Sequence, residues 1–467
     1  MTDQTADTEQ HPLRVAIVGS GPSGFYAAGH LLSQAGRPIE VDVFERLPTP
    51  WGLVRGGVAP DHPKIKSVTR MYEKTARKEG FRFFGNVEVG TDVSHDELAA
   101  WYDAVIYASG TSGDKKSGIA GEDLAGSLSA TEFVGWYNAH PDFKDLDPDL
   151  SVSRAVVIGN GNVAIDCARM LTLSHDELAV TDIADHALEM LVDSSIEEIL
   201  VLGRRGPEQA AFTNPELLEL GELAEADVIV DPADLLIPED LQEDELDATA
   251  RKNVEILREY AERQPSGKRK RVVLRFLASP VELLGDDRVE QVRVVRNELV
   301  RDEEGGLRAR PTEAEEIIEA GLVLRAIGYT GFAIPGVPFD DRKGLIPNDG
   351  DGRVLDPDGE VVPGLYTAGW IKRGPSGVIG TNKKCAQDTV TALLADFAGH
   401  ESTPKVDTED VAAVLRDRVP GLVDYAGWEL IDAHEKGRGE PQGRPRVKLT
   451  LIEEMVRIAA EQEPAAR

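Results

Sequence analysis

Two stretches of this chain repeat one grammar, and that repeat constrains the fold more than any other feature. Arg14-Val15-Ala16-Ile17-Val18 is a short, continuous, β-branched run, the pattern of a strand buried on both faces. It leads directly into Gly19-Ser20-Gly21-Pro22-Ser23-Gly24, and an Ala/Leu-rich helical pattern comes next, from Tyr26 to Leu32. The same order returns 140 residues on, as Arg154 to Ile158, then Gly159-Asn160-Gly161-Asn162-Val163-Ala164, then a helical pattern from Asp166 to Leu171. Two strand–glycine turn–helix units imply an α/β chain with two Rossmann-like dinucleotide-binding domains.

The two turns differ in how the next strand ends. In the first unit, Gly19 permits the tight turn, Gly21 lets a pyrophosphate approach the backbone, and Gly24 allows close helix–strand packing. The helix start then faces the phosphates with free N–H groups. A second strand pattern, Glu40 to Phe44, ends at Glu45, 21 residues after Gly24. A carboxylate there suits a ribose diol. After the second turn the next strand pattern, Ile199 to Leu202, ends in Gly203-Arg204-Arg205, with no acid. Two guanidiniums in that place suit the 2′-phosphate of NADP(H), which a carboxylate would repel. The 43 residues from Gly161 to Arg204 exceed the usual spacing, so extra helix is expected over Asp185 to Ser195. A non-phosphorylated dinucleotide at the first turn and NADPH at the second imply hydride transfer between them, which makes FAD the economical choice for the first.

Charge and cysteine content narrow the output. With 51 basic against 83 acidic residues in 467, the net charge of −32 argues against a general nucleic-acid binder. No run of 18 apolar residues suggests a membrane span, and the polar Met1–Gln10 start lacks the basic and apolar parts of a leader, so a cytoplasmic protein is expected. Cys167 and Cys385 are the two cysteines. They build no disulfide framework, metal site or protein-held iron–sulfur cluster, and no Cys-x-x-Cys is present to draw electrons from a flavin.

More specific blocks occur in a fixed order: Trp51-Gly-Leu-Val-Arg-Gly-Gly-Val-Ala-Pro-Asp-His-Pro63, Gly159-Asn-Gly-Asn-Val-Ala-Ile-Asp166, Gly203-Arg-Arg-Gly-Pro207 and Gly369-Trp-Ile-Lys-Arg-Gly-Pro-Ser-Gly-Val-Ile-Gly-Thr-Asn382. With the first glycine turn, they resemble adrenodoxin reductase and the bacterial NADPH–ferredoxin reductases over roughly residues 13–395. One departure is Gly56-Gly57, where a bulkier residue often precedes the valine. Residues 1–12 read as a flexible tail. The resemblance implies an FAD-binding domain built from 13–113 and 329–467, and an NADP-binding domain inserted as 114–328. It implies FAD contacts from Ser23, Glu45, Leu53, Val89, Trp370, Gly377, Val378 and Ile379, and NADP contacts from Gly159, Asn160, Gly161, Asn162, Arg204, Arg205, Glu216 and Gly377. His62 and Glu219 match polar positions near the redox centre, where a His/carboxylate pair could manage charge. The plainer readings are core packing for Trp370, and a helix start for Asn214-Pro215-Glu216, with Asn214 as N-cap.

The implied activity is NADPH–ferredoxin oxidoreduction through FAD. The alternatives are an NADPH diaphorase or quinone reductase, and a non-catalytic flavoprotein that senses NADP(H). Because ferredoxins are usually acidic, docking would need a local basic surface. Lys64, Lys66, Arg70, Lys74, Arg77, Lys78 and Arg82 offer one, with Lys372, Arg373, Lys383 and Lys384 near the flavin loop. A plain solvated helix face is the competing reading. The acidic stretch 231–247 reads as solvated loop or helix face, and residues after about 400 carry no usable motif.

Overall fold

A computed structural model of the chain describes residues 11–34, 36–235, 246–303, 306–377, 379–399 and 408–461. Most of the expected tail and part of the acidic stretch lie outside these residues. Each glycine turn sits at the carboxyl end of a strand in its own six-stranded sheet. In the first sheet Leu13–Val18 lies between Ile39–Glu45 and Ala104–Tyr107, paired in parallel with both. Phe81–Gly85 forms one edge, and the other is built by Val361–Thr367 and Arg353–Leu355 from the far end of the chain. The second sheet is all parallel in its paired core: Arg154–Ile158 lies between Leu322–Arg325 and Glu198–Leu202, with Lys270–Arg275 and Ala226–Val230 beyond. Strands buried on both faces need continuous apolar runs, and Val15 to Val18 and Ala155 to Ile158 are buried throughout.

Beyond helix Asn162–Met170, the long interval before Arg204 holds two more helices, His175–Leu178 and Asp185–Val192. A three-stranded antiparallel sheet, Ala278–Leu284, Gln291–Arg301 and Leu307–Glu319, leans on the second domain. The two large sheets communicate through a short ribbon in which Gly113–Asp114 pairs with Tyr329–Thr330. The last part of the chain forms helices Thr408–Arg418, Tyr425–Gly439 and Ile452–Ala459. Their buried residues Trp428, Ile431, Met455 and Ile458 join the core of the first sheet.

Three expectations about charged and capping residues need correction. Asp234 is buried rather than solvated, because it accepts the Phe276 N–H at 3.1 Å and pairs with Arg296. Thr213, with extended φ/ψ of −84° and 158°, occupies the N-cap of helix Asn214–Leu220, one residue earlier than expected. The amide of Asn214 is instead drawn outward, donating to Thr249 O at 3.0 Å and Asn253 Oδ1 at 2.7 Å. Lys372 is buried against Thr389 and adds nothing to a basic surface.

Gly56 lies against a histidine, since a Cβ there would come within 3.3 Å of His140 Cδ2. His140 Nδ1 accepts the Asp142 N–H at 3.3 Å, which requires the neutral ring. Burial outweighs the pull of Asp142, with Arg46 and Arg55 opposing a charge, and pushes its pKa down to about 4. The unfolded chain therefore takes up a proton near pH 6.5 while the folded one waits until about 4, so stability falls on acidification through that window. From pH 7 to pH 4.5 the loss from this group is expected to be about 2 kcal/mol at ~1.4 kcal/mol per pH unit. His140→Gln should remove that part of the loss in urea midpoints; an unchanged pH slope would assign it elsewhere.

Candidate functional site

The two turns are built alike, down to the contact each makes. Gly19 has φ +106°, and a Cβ on it would come 2.5 Å from Ala108 O, just beyond the neighbouring strand. Gly159 has φ +131°, and its Cβ would come 2.3 Å from Ala326 O, in the equivalent place of the second sheet. At Gly24 a Cβ would lie 2.0 Å from Gly19 O, so helix Pro22–Leu31 is seated on the turn itself. Neither that helix nor Asn162–Met170 has a side-chain cap. The N–H groups of Ser23 and Gly24 in the first helix and of Asn162 and Val163 in the second have no intrahelical acceptors and remain available to phosphates.

Glu45 stands at its strand end, where Ser20 N–H and Oγ donate to Oε2 at 3.1 and 2.7 Å and Leu47 N–H donates to Oε1 at 3.1 Å. The carboxylate is thus fixed beside the turn by the chain's own hydrogen bonds. The half-buried Leu53 comes after Trp51 and Gly52, a segment that crosses the turn: Trp51 N–H donates to Ser20 O at 3.0 Å, and a Cβ on Gly52 would meet Gly21 Cα at 3.0 Å. From the other end of the chain, Asn382 Oδ1 accepts Ser23 Oγ at 3.2 Å and Arg373 at 2.9 Å. Arg373 also donates to Ser376 O. Gly377 has φ +77° in this loop and Ile379 opens helix Ile379–Asp396; Val378 lies outside the described residues. Trp370 is half-buried, its ring 5.5 Å from that of Tyr329 and tilted by 32°, and Val89 bridges to Val93.

In the second domain, Asn160 O accepts the Ala211 N–H at 2.9 Å and Asn162 Oδ1 accepts the Thr213 N–H at 2.8 Å. These bonds tie Gly161 and its neighbours to the helix carrying Glu216 and Glu219. Gly203 packs on Asn160, where a Cβ would fall 2.9 Å from Nδ2, so Arg204 and Arg205 leave the strand beside the turn. Their carbonyls are anchored by Asn297 Nδ2 at 2.8 Å and Leu277 N–H at 3.1 Å, while neither guanidinium pairs with a described acid.

The halves meet at His62. Its Nε2 lies 2.9 Å from Glu219 Oε2 and 2.8 Å from the guanidinium of Arg169. Arg169 also pairs with Asp61 and stands 3.5 Å from Asp166, whose buried carboxyl is pushed up to about 7 mainly by desolvation. Sequence reading missed Arg169 and Asp61. The signal available was a cation in a largely apolar helix, one turn after Asp166, and an acid next to His62.

Several buried polar atoms here have no partner among the described residues: Trp370 Nε1, Asn160 Nδ2 and Glu216 Oε2. Together with turns that a Cβ would fill, these open groups fit two bound dinucleotides, FAD at the first turn and NADP(H) at the second. The basic run is more paired than its sequence implied. Lys66 bonds Asp182, Arg77 bonds Glu429 and Arg82 bonds Asp42, whereas Lys64, Arg70 and Lys74 are exposed. Among the described residues no helix is long and apolar enough to cross a membrane.

Residues 13–201 match the profile of the pyridine nucleotide-disulphide oxidoreductase family. The chain is 52% identical over 457 residues to the NADPH-ferredoxin reductase FprA of Mycobacterium tuberculosis, covering 96% of this chain and 99% of the relative. It is 42% identical to the mitochondrial NADPH:adrenodoxin oxidoreductase of Salvelinus fontinalis, covering 96% of this chain and 91% of that one. Among solved structures it resembles Mycobacterium tuberculosis FprA in complex with NADPH, with a TM-score of 0.91, 51% identity, and coverage of 96% and 100%.

Proposed function

The chain belongs to the NADPH-ferredoxin reductase family, and from that premise we propose that it carries electrons from NADPH, through bound FAD, to an iron–sulfur ferredoxin. The observation that carries this reading is the pairing of an acid-ended turn, Glu45, with an arginine-ended turn, Arg204-Arg205, in one chain without Cys-x-x-Cys. FAD, when bound, accepts a hydride from NADPH and releases the electrons one at a time. The glycine turns address the pyrophosphates, and Glu45 accepts the ribose hydroxyls. Arg204 and Arg205 hold the 2′-phosphate, and Trp370 forms a flat apolar wall. His62 Nε2 donates to Glu219 Oε2 when it carries a proton and accepts from Arg169 when it does not, so a proton can be held or released at that atom. The division into 13–113, 114–328 and 329–467 tracks the two sheets in this reading, and the two unpaired cysteines accord with a cytoplasmic setting.

The test is reduction of cytochrome c by NADPH with and without added ferredoxin, repeated with NADH. Strong stimulation by ferredoxin with NADPH preferred is the expected result. Activity indifferent to ferredoxin would favour a diaphorase, and yellow protein that NADPH fails to bleach would favour a sensor. In the same assay His62→Ala should keep its FAD and slow by about a hundredfold, the low end of a positioned proton-transfer group; an unchanged rate would remove it from the mechanism.

We further place ferredoxin docking on the exposed face around Lys64, Arg70 and Lys74, flanked by the exposed Ile65 and Met71. Local charge dominates over net charge because screening acts within ~8 Å at physiological salt. Lys64→Glu with Lys74→Glu should raise the KM for ferredoxin about tenfold, ~1.4 kcal/mol, and leave ferricyanide reduction alone. Equal loss of both activities would count against this surface.

A further inference from the structure

The segment Trp51–Lys66, which carries His62, is gripped by the end of the chain. Near its start, Arg55 donates to both oxygens of Glu435 at 2.8 and 2.5 Å. Glu435 also accepts Arg446 at 3.1 Å and the Leu449 N–H at 2.8 Å. The buried ammonium of Lys448 donates to Arg55 O at 3.1 Å and to Asn138 Oδ1 at 3.0 Å, and faces Asp182 at 3.3 Å. The other oxygen of Asp182 takes Lys66 at 2.6 Å, closing the grip at the segment's far end. Arg444 then reaches into the NADP-binding half, donating to Thr181 O at 3.0 Å, to Ile183 O and to Asp185 at 2.6 Å. The strap 444–449 is itself held to its helix by Arg444 N–H to Gly439 O and Val447 N–H to Glu435 O.

Chain connectivity alone would leave the two halves free to rotate, because they are joined covalently only through the Gly113–Asp114 and Tyr329–Thr330 ribbon. Buried ion pairs contribute little net stability, but their hydrogen-bond geometry admits one arrangement. Hydride transfer needs reacting atoms about 3–3.5 Å apart, so the arrangement of the halves bears directly on rate. We propose that the strap Arg444–Leu449 is a latch that sets the NADP-binding half against the FAD-binding half, with Arg444 and Lys448 as positioning residues for hydride transfer. This rests on the reductase reading above.

The test compares wild-type holoenzyme with Arg444→Met by rapid mixing with NADPH and by amide hydrogen exchange. Flavin reduction is expected to slow about tenfold, with FAD content kept and the half-saturating NADPH concentration shifted less than about twofold. Exchange should quicken in 181–185 and 444–449, leave the sheet strands unchanged, and be partly restored in Arg444→Lys, which keeps a charge for Asp185. A wild-type reduction rate in Arg444→Met, or a loss expressed only in the half-saturating concentration, overturns the latch. Should Arg444→Met fail to fold, Asp185→Asn decides, since it keeps both carbonyl bonds of Arg444. A two- to threefold slowing is expected there, and an unchanged rate overturns the proposal. If NADPH fails to bleach the wild-type protein, the reductase reading fails instead, and exchange still reports on the latch.

Discussion

Replacing Arg204 and Arg205 together by alanine is expected to lower kcat/KM for NADPH about 10³-fold while leaving NADH use nearly unchanged. The backbone carbonyl of each arginine is anchored and neither guanidinium has a described acid to neutralise it, so both charges are free for a dianion. A charge-assisted pair contributes about 2 kcal/mol, and two such pairs amount to roughly three decades. The loss should fall mainly in KM, because the 2′-phosphate lies far from the transferred hydride and is bound alike in ground and transition states. Salt dependence offers an independent reading: wild-type KM for NADPH should rise with ionic strength, and the double variant should be flat. A variant that keeps its NADPH preference would place the 2′-phosphate on other residues.

The parts of the site legible in the sequence are those in which neighbours along the chain do the chemistry. A strand, a glycine turn and a helix start are local, so both turns could be read with their residues. The acid at Glu45 and the arginines after Leu202 are likewise fixed by position at a strand end. Charge partners are not local. Lys66, Arg82 and Lys372 look like surface cations in the sequence, yet their partners Asp182, Asp42 and Thr389 are 116, 40 and 17 residues away. Asp234 looks solvated for the same reason, since Arg296 reaches it from the antiparallel sheet. Arg169 joins His62 across 107 residues, and no periodicity in either segment announces the contact. The last fifth of the chain is the extreme case. It carries no motif, yet Glu435 and Gly439 face inward with Trp428 and Ile431.

Glu435→Ala is expected to be among the most destabilising single substitutions in the chain, costing about 3–5 kcal/mol, the usual result of removing one partner from a buried charge pair. The side chain of Glu435 is fully buried between Arg55 and Arg446, which are 9% and 13% exposed. Those two cations hold its carboxyl below the ordinary range despite its burial. The arginines lie over Trp428 and Trp51 at 5.4 and 5.8 Å, and the two indoles meet edge-on at 4.9 Å. Trp51 itself has φ +86°, a left-handed backbone conformation that a tryptophan adopts only when its surroundings hold it. Without the carboxylate, Arg446 would keep Asp432 at 2.7 Å, whereas the buried guanidinium of Arg55 would lose the acid it pairs with. The strained turn over Gly21 would then lose its support, so the thermal midpoint should fall and FAD should be released more readily. Replacing all three charges with apolar residues, Arg55→Met, Glu435→Leu and Arg446→Met, should recover most of the stability, because the desolvation cost is then removed along with the attraction. A loss under about 1 kcal/mol in Glu435→Ala would mean that water enters and solvates the arginines, and that the network is looser than its distances imply.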